Sequence, residues 1–429
     1  MKIAVLGLWH LGSVTAACLA AAGHSVKAFD PDRTVIENLA AARTPVAEPG
    51  LSELTSDGLR SGALQFTTDL ADAVRDADIV WVTFDTPVGD DDVADVDYVV
   101  GQVQSTFPHL PDRAVVLCSS QLPVGTMRSI EQAWTNRAGV RTVSFACSPE
   151  NLRLGKAIEV FREPDRVIVG VRDDWARTRV QAALAPITDR LEWMSVESAE
   201  MTKHAVNAFL ATSVTFINEI AALCERVGAD AKEVERGLRT ESRIGPGAYL
   251  APGGAFAGGT LARDVTFLRA LGTTLDRPTP LMDGVLASNT AHSMWARRRL
   301  ESAVGQLAGA KIAIWGLTYK PGTDTLRRSS AIDISRWLVS QGARVHVHDP
   351  AARDLPGDLP VTRHQDPLDA AAGALALVVA TSWPCYREID VERLASIAPD
   401  LLVLDANRFL GPTLGADPRF RLVTVGQPE

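Results

Sequence analysis

Cysteine is scarce in this chain and follows no pattern. The five present, Cys18, Cys118, Cys147, Cys224 and Cys385, are scattered and odd in number, with none of the spacings of a metal site. That excludes a disulfide scaffold and a structural zinc, and reads as reduced, mostly buried thiols. Excess positive charge is also missing, since 43 Lys and Arg face 52 Asp and Glu for a formal charge of -9. Neither a nucleic acid nor an anionic membrane is therefore an expected partner. No apolar run reaches the ~18–20 residues that span a bilayer. Met1-Lys2-Ile3-Ala4-Val5-Leu6 enters a strand at once, which predicts a cytoplasmic protein without a leader.

What is present is a soluble globular composition, 46% hydrophobic and 22% charged, over 429 residues, enough for two or three domains. Residues 2–6 and 25–29 are short apolar runs flanking a helix-like segment from Ser13 to Ala22. The same grammar repeats through Ile79 to Val82, Ala114 to Leu117 and Val167 to Val169, predicting a doubly wound parallel sheet. From about 195 to 300 strand signals are few. Met201, Ala205, Ala208, Phe209, Thr212, Phe216 and Ile217 recur there at helical intervals. A second α/β unit opens at Lys311-Ile312-Ala313-Ile314-Trp315-Gly316 and runs on through Val345 to His348, Leu377 to Ala380 and Leu401 to Leu404. The expected fold class is thus α/β, with two Rossmann-like domains (1–194 and 306–429) joined by a helical middle (195–305). Residues 239–259, dense in Gly and Pro, are too long for a simple turn and form a candidate functional loop.

Gly7-Leu8-Trp9-His10-Leu11-Gly12 lies between the first strand and the first helix, where a dinucleotide fingerprint belongs. Gly7 suits the tight turn, Gly12 lets the helix start close to the strand, and the helix N-terminus offers N–H groups to a pyrophosphate. Asp30, ending the second strand, is placed to accept the adenosine ribose hydroxyls and to favour NAD over NADP. Trp9 stands where a glycine is usual, which is tolerated if its side chain points away and backbone alone meets the phosphate. On the fingerprint alone, a Rossmann-like domain without nucleotide is the competing reading.

Lys203 and Asn207, four apart on a predicted helix, project from one face. An ammonium and an amide side by side suit the alkoxide formed as an alcohol loses hydride. The plainer alternative is an exposed lysine, which the flanking apolar stripe argues against. Glu150 follows a strand predicted over 143–146, at the carboxyl edge where α/β sites collect; it could act as general base to a water or simply cap a helix. Lys320 and Arg327 put cations in the loop after the first strand of the second α/β unit, suited to a diphosphate or sugar hydroxyls.

Several segments carry a resemblance. Ser148-Pro149-Glu150-Asn151-Leu152-Arg153-Leu154-Gly155-Lys156-Ala157-Ile158 follows (S/N)-P-E-F-L-R-E-G-x-A-I, and the stretch from Glu200 to Phe209 follows E-x-x-K-x-x-x-N-x-F. Arg243-Ile244-Gly245 with Pro252-Gly253 matches a sugar-clasping loop. The stretch from Phe256 to Val265 follows F-G-G-S-C-F-x-K-D-V. Tyr319-Lys320-Pro321-Gly322-Thr323-Asp324, with Arg327-Arg328-Ser329, follows F-K-P-x-T-D-D-x-R-E-S. In order and in register over nearly the whole chain, these resemble the UDP-glucose/GDP-mannose dehydrogenase family.

The resemblance implies an NAD-dependent oxidoreductase on a nucleotide-activated sugar, a UDP-sugar first and a GDP- or dTDP-sugar next. It implies catalytic roles for Lys203, Asn207, Asp264 and Glu150, and for Thr260 by position. It places Gly7, Trp9, Leu11, Gly12, Asp30, Thr86 and Gln121 at the cofactor, and Arg243, Tyr249, Gly253, Lys320 and Arg327 at the substrate. Arg243 is implied to reach a neighbouring subunit's site, so a homodimer is expected; no metal is.

Two positions depart from the pattern. Thr260 stands where the family has the cysteine that traps the aldehyde as a thioester precursor, and a hydroxyl ionises far less readily than a thiol. Gln121 replaces a threonine implicated in water handling, in Ser119-Ser120-Gln121-Leu122-Pro123-Val124-Gly125-Thr126 against K-S-T-V-P-V-G-T. Cys118 and Cys147, near the strand edge, are read as structural rather than substitute thiols. The expectation is an oxidoreductase without the cysteine-dependent four-electron oxidation, so with single or transient oxidation. The alternatives are a conventional 6-dehydrogenase giving a uronate, and a silent nucleotide-sugar binder.

Overall fold

A computed structural model describes residues 1–87, 94–137, 141–149 and 152–428. The chain divides into two compact units, Met1–His204 and Ala205–Glu429.

The first unit is built on an eight-stranded sheet. Its strands are β1 (Lys2–Leu6), β2 (Ser25–Phe29), β3 (Leu64–Thr67), β4 (Ile79–Val82), β5 (Val115–Cys118), β6 (Ser144–Cys147), β7 (Val167–Val171) and β8 (Leu191–Met194). They lie in the order β3-β2-β1-β4-β5-β6-β7-β8. β4, β5 and β6 are buried throughout, as continuous apolar runs between two helical layers must be. The expected all-parallel sheet is corrected at one place: β7 pairs antiparallel with β6. The first helix spans His10–Ala21 instead of 13–22, because the turn tightens into helix immediately after Trp9. The chain winds outward from β1 in both directions, so the switch point of the sheet lies at the carboxyl ends of β1 and β4.

The second unit repeats that plan. β9 (Lys311–Trp315), β10 (Arg344–His348), β11 (Thr362–Arg363), β12 (Ala376–Val379), β13 (Leu402–Leu404) and β14 (Arg421–Val423) form a parallel sheet in the order β11-β10-β9-β12-β13-β14. Before it come the helices Ala231–Thr240, Thr260–Thr274, Pro280–Ser293 and Trp295–Val304. Residues 241–259 carry no helix or strand, in keeping with the expected long loop.

A 32-residue helix, Val196–Val227, runs through the division between the units. It is long and apolar enough by length and composition to cross a membrane, which the absence of a long uncharged run in the sequence did not predict. Its polar residues are nevertheless used inside the fold. Asn207 donates to Asp264, and Asn218 accepts from Gly253 N at 3.0 Å. The predicted apolar face divides. Ala208 and Ile217 are buried, whereas Met201, Phe209 and Phe216 are exposed.

Near its end, buried Glu225 collects Trp295 Nε1 at 2.9 Å, Gly426 N at 2.9 Å and the Arg299 guanidinium at 2.7 Å. One carboxylate thus ties three separate segments of the second unit together. Removing it leaves a largely buried guanidinium and an indole N–H without that acceptor. Glu225→Ala is therefore expected to cost about 3–5 kcal/mol in chemical denaturation, while Glu233→Ala, on an exposed ion pair, changes little.

Candidate active site

In the first unit the predicted cofactor residues gather at the carboxyl edge of the sheet. Gly7 sits at φ +91°, and a Cβ there would lie 2.7 Å from the Phe84 backbone; at Gly12 it would lie 1.7 Å from Gly7 O. Both positions need glycine, for backbone conformation and for close approach respectively. Leu8 N–H donates to Asp30 Oδ2 at 2.8 Å, and the Thr83 hydroxyl bridges Leu6 O and Gly7 O at 2.9 and 2.8 Å. Trp9 is 52% exposed, so its ring is not packed into the core. Leu11 is buried in the first turn of the helix. The Thr86 hydroxyl donates to Gln121 O at 2.7 Å, bringing two predicted cofactor residues together across β4 and β5.

The second unit offers an internal comparison. Gly316 repeats the left-handed turn at φ +86°, and Leu317 N–H donates to Asp349 at 2.6 Å as Leu8 does to Asp30. There the Trp383 indole N–H lies 3.1 Å from Asp349 Oδ2, and the Thr318 hydroxyl and N–H occupy the same oxygen. The carboxylate that would take ribose hydroxyls is consumed by the protein. Asp30 is partly exposed and carries only two backbone donors among the described residues, so the first turn is the one that fits a dinucleotide.

Two acidic residues of the first unit were not singled out from the sequence. Buried Glu48 accepts from Gly155 N and Ala157 N at 2.7 and 2.8 Å and pairs with His10 at 3.0 Å. It thereby ties the phosphate-binding turn to the segment that follows Glu150. Buried Glu200 accepts from Gly125 N and Met127 N at 2.7 and 3.0 Å, and burial raises its carboxyl above the usual range. It lines a small cleft with Gln121, Lys203, Cys118 and Cys147. Lys203 is half-buried. Glu150 lies outside the described residues. A cavity of about 570 Å³ beside Glu48, Lys156 and Arg162 contains none of the predicted site residues.

In the second unit, Asp264 is fully buried and accepts from the Asn207 amide. Thr260 opens the helix Thr260–Thr274 one turn before Asp264 and is exposed. The loop leading to it is clamped by side chains from far along the chain. Gly253 N donates to Asn218 Oδ1 at 3.0 Å and Gly253 O faces His292 Nε2 at 2.7 Å. Gly254 N donates to Asn407 Oδ1 at 3.0 Å, and Asn289 closes both hydrogen bonds of the Phe256 backbone at 2.9 and 2.8 Å. A Cβ at Gly253 would lie 2.5 Å from Asn407 Oδ1, which explains the glycine.

The Asp405-Ala406-Asn407-Arg408 segment, given no role from the sequence, holds this loop; Arg408 also pairs with Asp230 through two contacts of 2.6 and 3.1 Å. Arg243 and Tyr249 are exposed, with Arg243 paired to Glu241 at 2.9 Å, and Arg327 is exposed while Lys320 is half-buried. The structure does not bring Arg243 or Tyr249 onto the Asn207–Asp264 pair within the unit.

Burial raises every thiol of the chain. Cys18 and Cys118 are pushed up to about 12, Cys147 well above its ordinary value, and Cys224 and Cys385 are raised as well. None is poised as a thiolate nucleophile.

The glycine turn of the first unit, with Asp30 at the end of the second strand, defines a dinucleotide-binding domain of the Rossmann type. The comparisons sharpen this. The UDP-glucose/GDP-mannose dehydrogenase family matches through its NAD binding domain at residues 1–188, its central domain at 197–291 and its UDP binding domain at 313–412. The chain is 36% identical over 440 residues to a UDP-glucose 6-dehydrogenase of Rhizobium meliloti (strain 1021), covering 100% of both. It is 32% identical to one from Pseudomonas aeruginosa, covering 100% of this chain and 98% of the relative. A UDP-glucose dehydrogenase structure from Pyrobaculum islandicum superposes with a TM-score of 0.85 at 32% identity, covering 94% and 93% of the two chains. The chain belongs to the UDP-glucose/GDP-mannose dehydrogenase family, and NAD is its cofactor.

His292 supplies a pH test. Burial depresses its pKa, because a charged imidazole there loses hydration. The unfolded chain therefore binds the proton more readily, and this part of the stability is complete above pH 6.5 and declines as pH falls below it. Unfolding measured between pH 8 and pH 5 should show that loss in the native chain and less of it in His292→Gln.

Proposed function

We propose that the chain oxidises the C6 alcohol of a UDP-sugar, UDP-glucose first, to the uronate. The observation that carries this is the buried Asn207–Asp264 pair one turn behind Thr260, in a chain that matches a UDP-glucose 6-dehydrogenase over the whole of that relative. NAD, held at Gly7, Gly12 and Asp30, supplies the hydride acceptor. Asp264 fixes the orientation of the Asn207 amide, and Lys203 stands one helical turn before it. Together these give a cation and an amide dipole to the oxygen that becomes negative as hydride leaves. Lys320 and Arg327 serve the diphosphate, and Glu150 serves as base toward water.

Thr260 favours a second reading, in which the chain is an atypical member that stops after one oxidation or returns the hydride. Its hydroxyl is no substitute for a thiolate, and the raised thiols elsewhere offer none. On the first reading the aldehyde is oxidised as its hydrate, without a covalent intermediate.

Purified protein with NAD and UDP-glucose decides between them through NADH yield and product mass. Two NADH per sugar with a uronate is expected. One NADH with an aldehyde or ketone, or an isomer without net NADH, selects the second reading; nucleotide-sugar binding without product leaves a silent binder. Thr260→Cys should raise uronate formation at least about tenfold, since cysteine is by far the better nucleophile near neutral pH.

We further propose a cytoplasmic homodimer. The five unpaired thiols suit a reducing compartment. Phe209, Phe216, Leu223 and Val227, at intervals of seven, seven and four on one helix, are 71, 47, 62 and 75% exposed. A second copy of this chain is the occupant that suits such a stripe, since two long helices can cover each other along it. The mass in solution by light scattering should be twice the chain mass, falling to a single chain in Phe209→Glu/Leu223→Glu.

A further inference from the structure

Gly259 precedes Thr260 and makes no side-chain cap for the helix that follows. A methyl group placed on Gly259 would lie 3.0 Å from the Tyr319 hydroxyl and 3.6 Å from ring carbon Cζ. The tip of Tyr319 therefore rests against the turn that delivers Thr260, close enough that a side chain at 259 would push it back by a few tenths of an ångström. Tyr319 is held from its base. Its N–H donates to Thr325 O at 2.9 Å, and the preceding Thr318 is fixed on Asp349 by N–H and hydroxyl at 2.9 and 3.0 Å. The ring is 39% exposed, and among the described residues the hydroxyl takes no hydrogen-bond partner. A buried structural tyrosine usually spends its hydroxyl on the fold, as Tyr386 does on His348 O at 3.0 Å. Tyr319 instead leaves its hydroxyl, on a rigidly held base, beside the residue that stands in the nucleophile's place.

We propose that Tyr319 is a catalytic residue of this site: its hydroxyl donates a hydrogen bond to the oxygen on the sugar carbon undergoing oxidation. This rests on the UDP-sugar oxidation proposed above. With threonine at 260, the aldehyde of the first oxidation is met by water. The water oxygen bonds to the carbonyl carbon, and the C=O π pair moves onto the carbonyl oxygen. That oxygen gains a proton as the attacking water loses one, leaving a neutral hydrate. Nothing is oxidised or reduced in this step. Tyr319 keeps its proton throughout, and its hydrogen bond lies where negative charge develops.

Tyr319→Phe removes only the hydroxyl. Product formation from UDP-glucose should fall on the order of 10²-fold, while the UDP-glucose dissociation constant from calorimetry stays within about twofold, as expected of an interaction made in the transition state alone. Gly259→Ala displaces the hydroxyl and should lower turnover in the native background, with little further loss in Tyr319→Phe. Unchanged turnover in Tyr319→Phe overturns the role and leaves UDP-sugar oxidation standing. Loss of UDP-glucose binding in step with turnover also overturns it, because the hydroxyl would then be a ground-state contact. A native chain that yields no product from any UDP-sugar overturns the functional reading and this role with it.

Discussion

A carboxylate at the end of the second strand, gripping the N–H next to a left-handed glycine, organises both halves of this protein. Asp30 holds the turn after Gly7, and Asp349 holds the turn after Gly316. In each case the sheet can pass its first strand into a helix or loop at close range only because the glycine accepts a positive φ and the carboxylate fixes the turn. The same device has two outcomes. Where the carboxylate keeps capacity to spare, the turn serves a cofactor. Where an indole and a threonine saturate it, the turn becomes a rigid footing for the loop carrying Tyr319 and Lys320.

The second organising element is the loop before Thr260. It contains no regular structure, so its backbone groups must find partners elsewhere. Asn218, Asn289, His292 and Asn407 supply them; the first three sit on helices and Asn407 in the turn after β13. Amides suit the task because each offers a donor and an acceptor, so one Asn289 side chain closes both bonds of a single residue. The neutral state of His292 belongs to the same logic, since a buried carbonyl asks for one N–H and no charge.

Much of this was legible in the sequence, and the remainder was hidden for physical reasons. The glycine turn, the helical middle and the second α/β unit are local patterns, and local patterns survive in a string of letters. The clamps are not local. Asn218 and Asn407 reach the loop across 35 and 153 residues, and nothing in their neighbours marks them. Phe209 and Phe216 were legible as part of an apolar helix face, but periodicity shows that a face is apolar and not what covers it. Tyr319 was visible as a letter in a motif, yet its meaning depends on the missing side chain of Gly259.

Thr260 shows how separable the chemistry of such a site is. Hydride loss from an alcohol asks for fixed dipoles and charge near one oxygen, and in the function proposed above the buried Asn207–Asp264 pair supplies part of that. Trapping an aldehyde covalently asks for something different, an ionisable nucleophile at the surface of the pocket. The first requirement is met by packing that many residues maintain together, so a single substitution rarely touches it. The second depends on one atom at the start of one helix. In the function proposed above, replacing that atom alters how a second oxidation can proceed without touching the packing that serves the first, and it places new demands on whatever polar groups stand nearby.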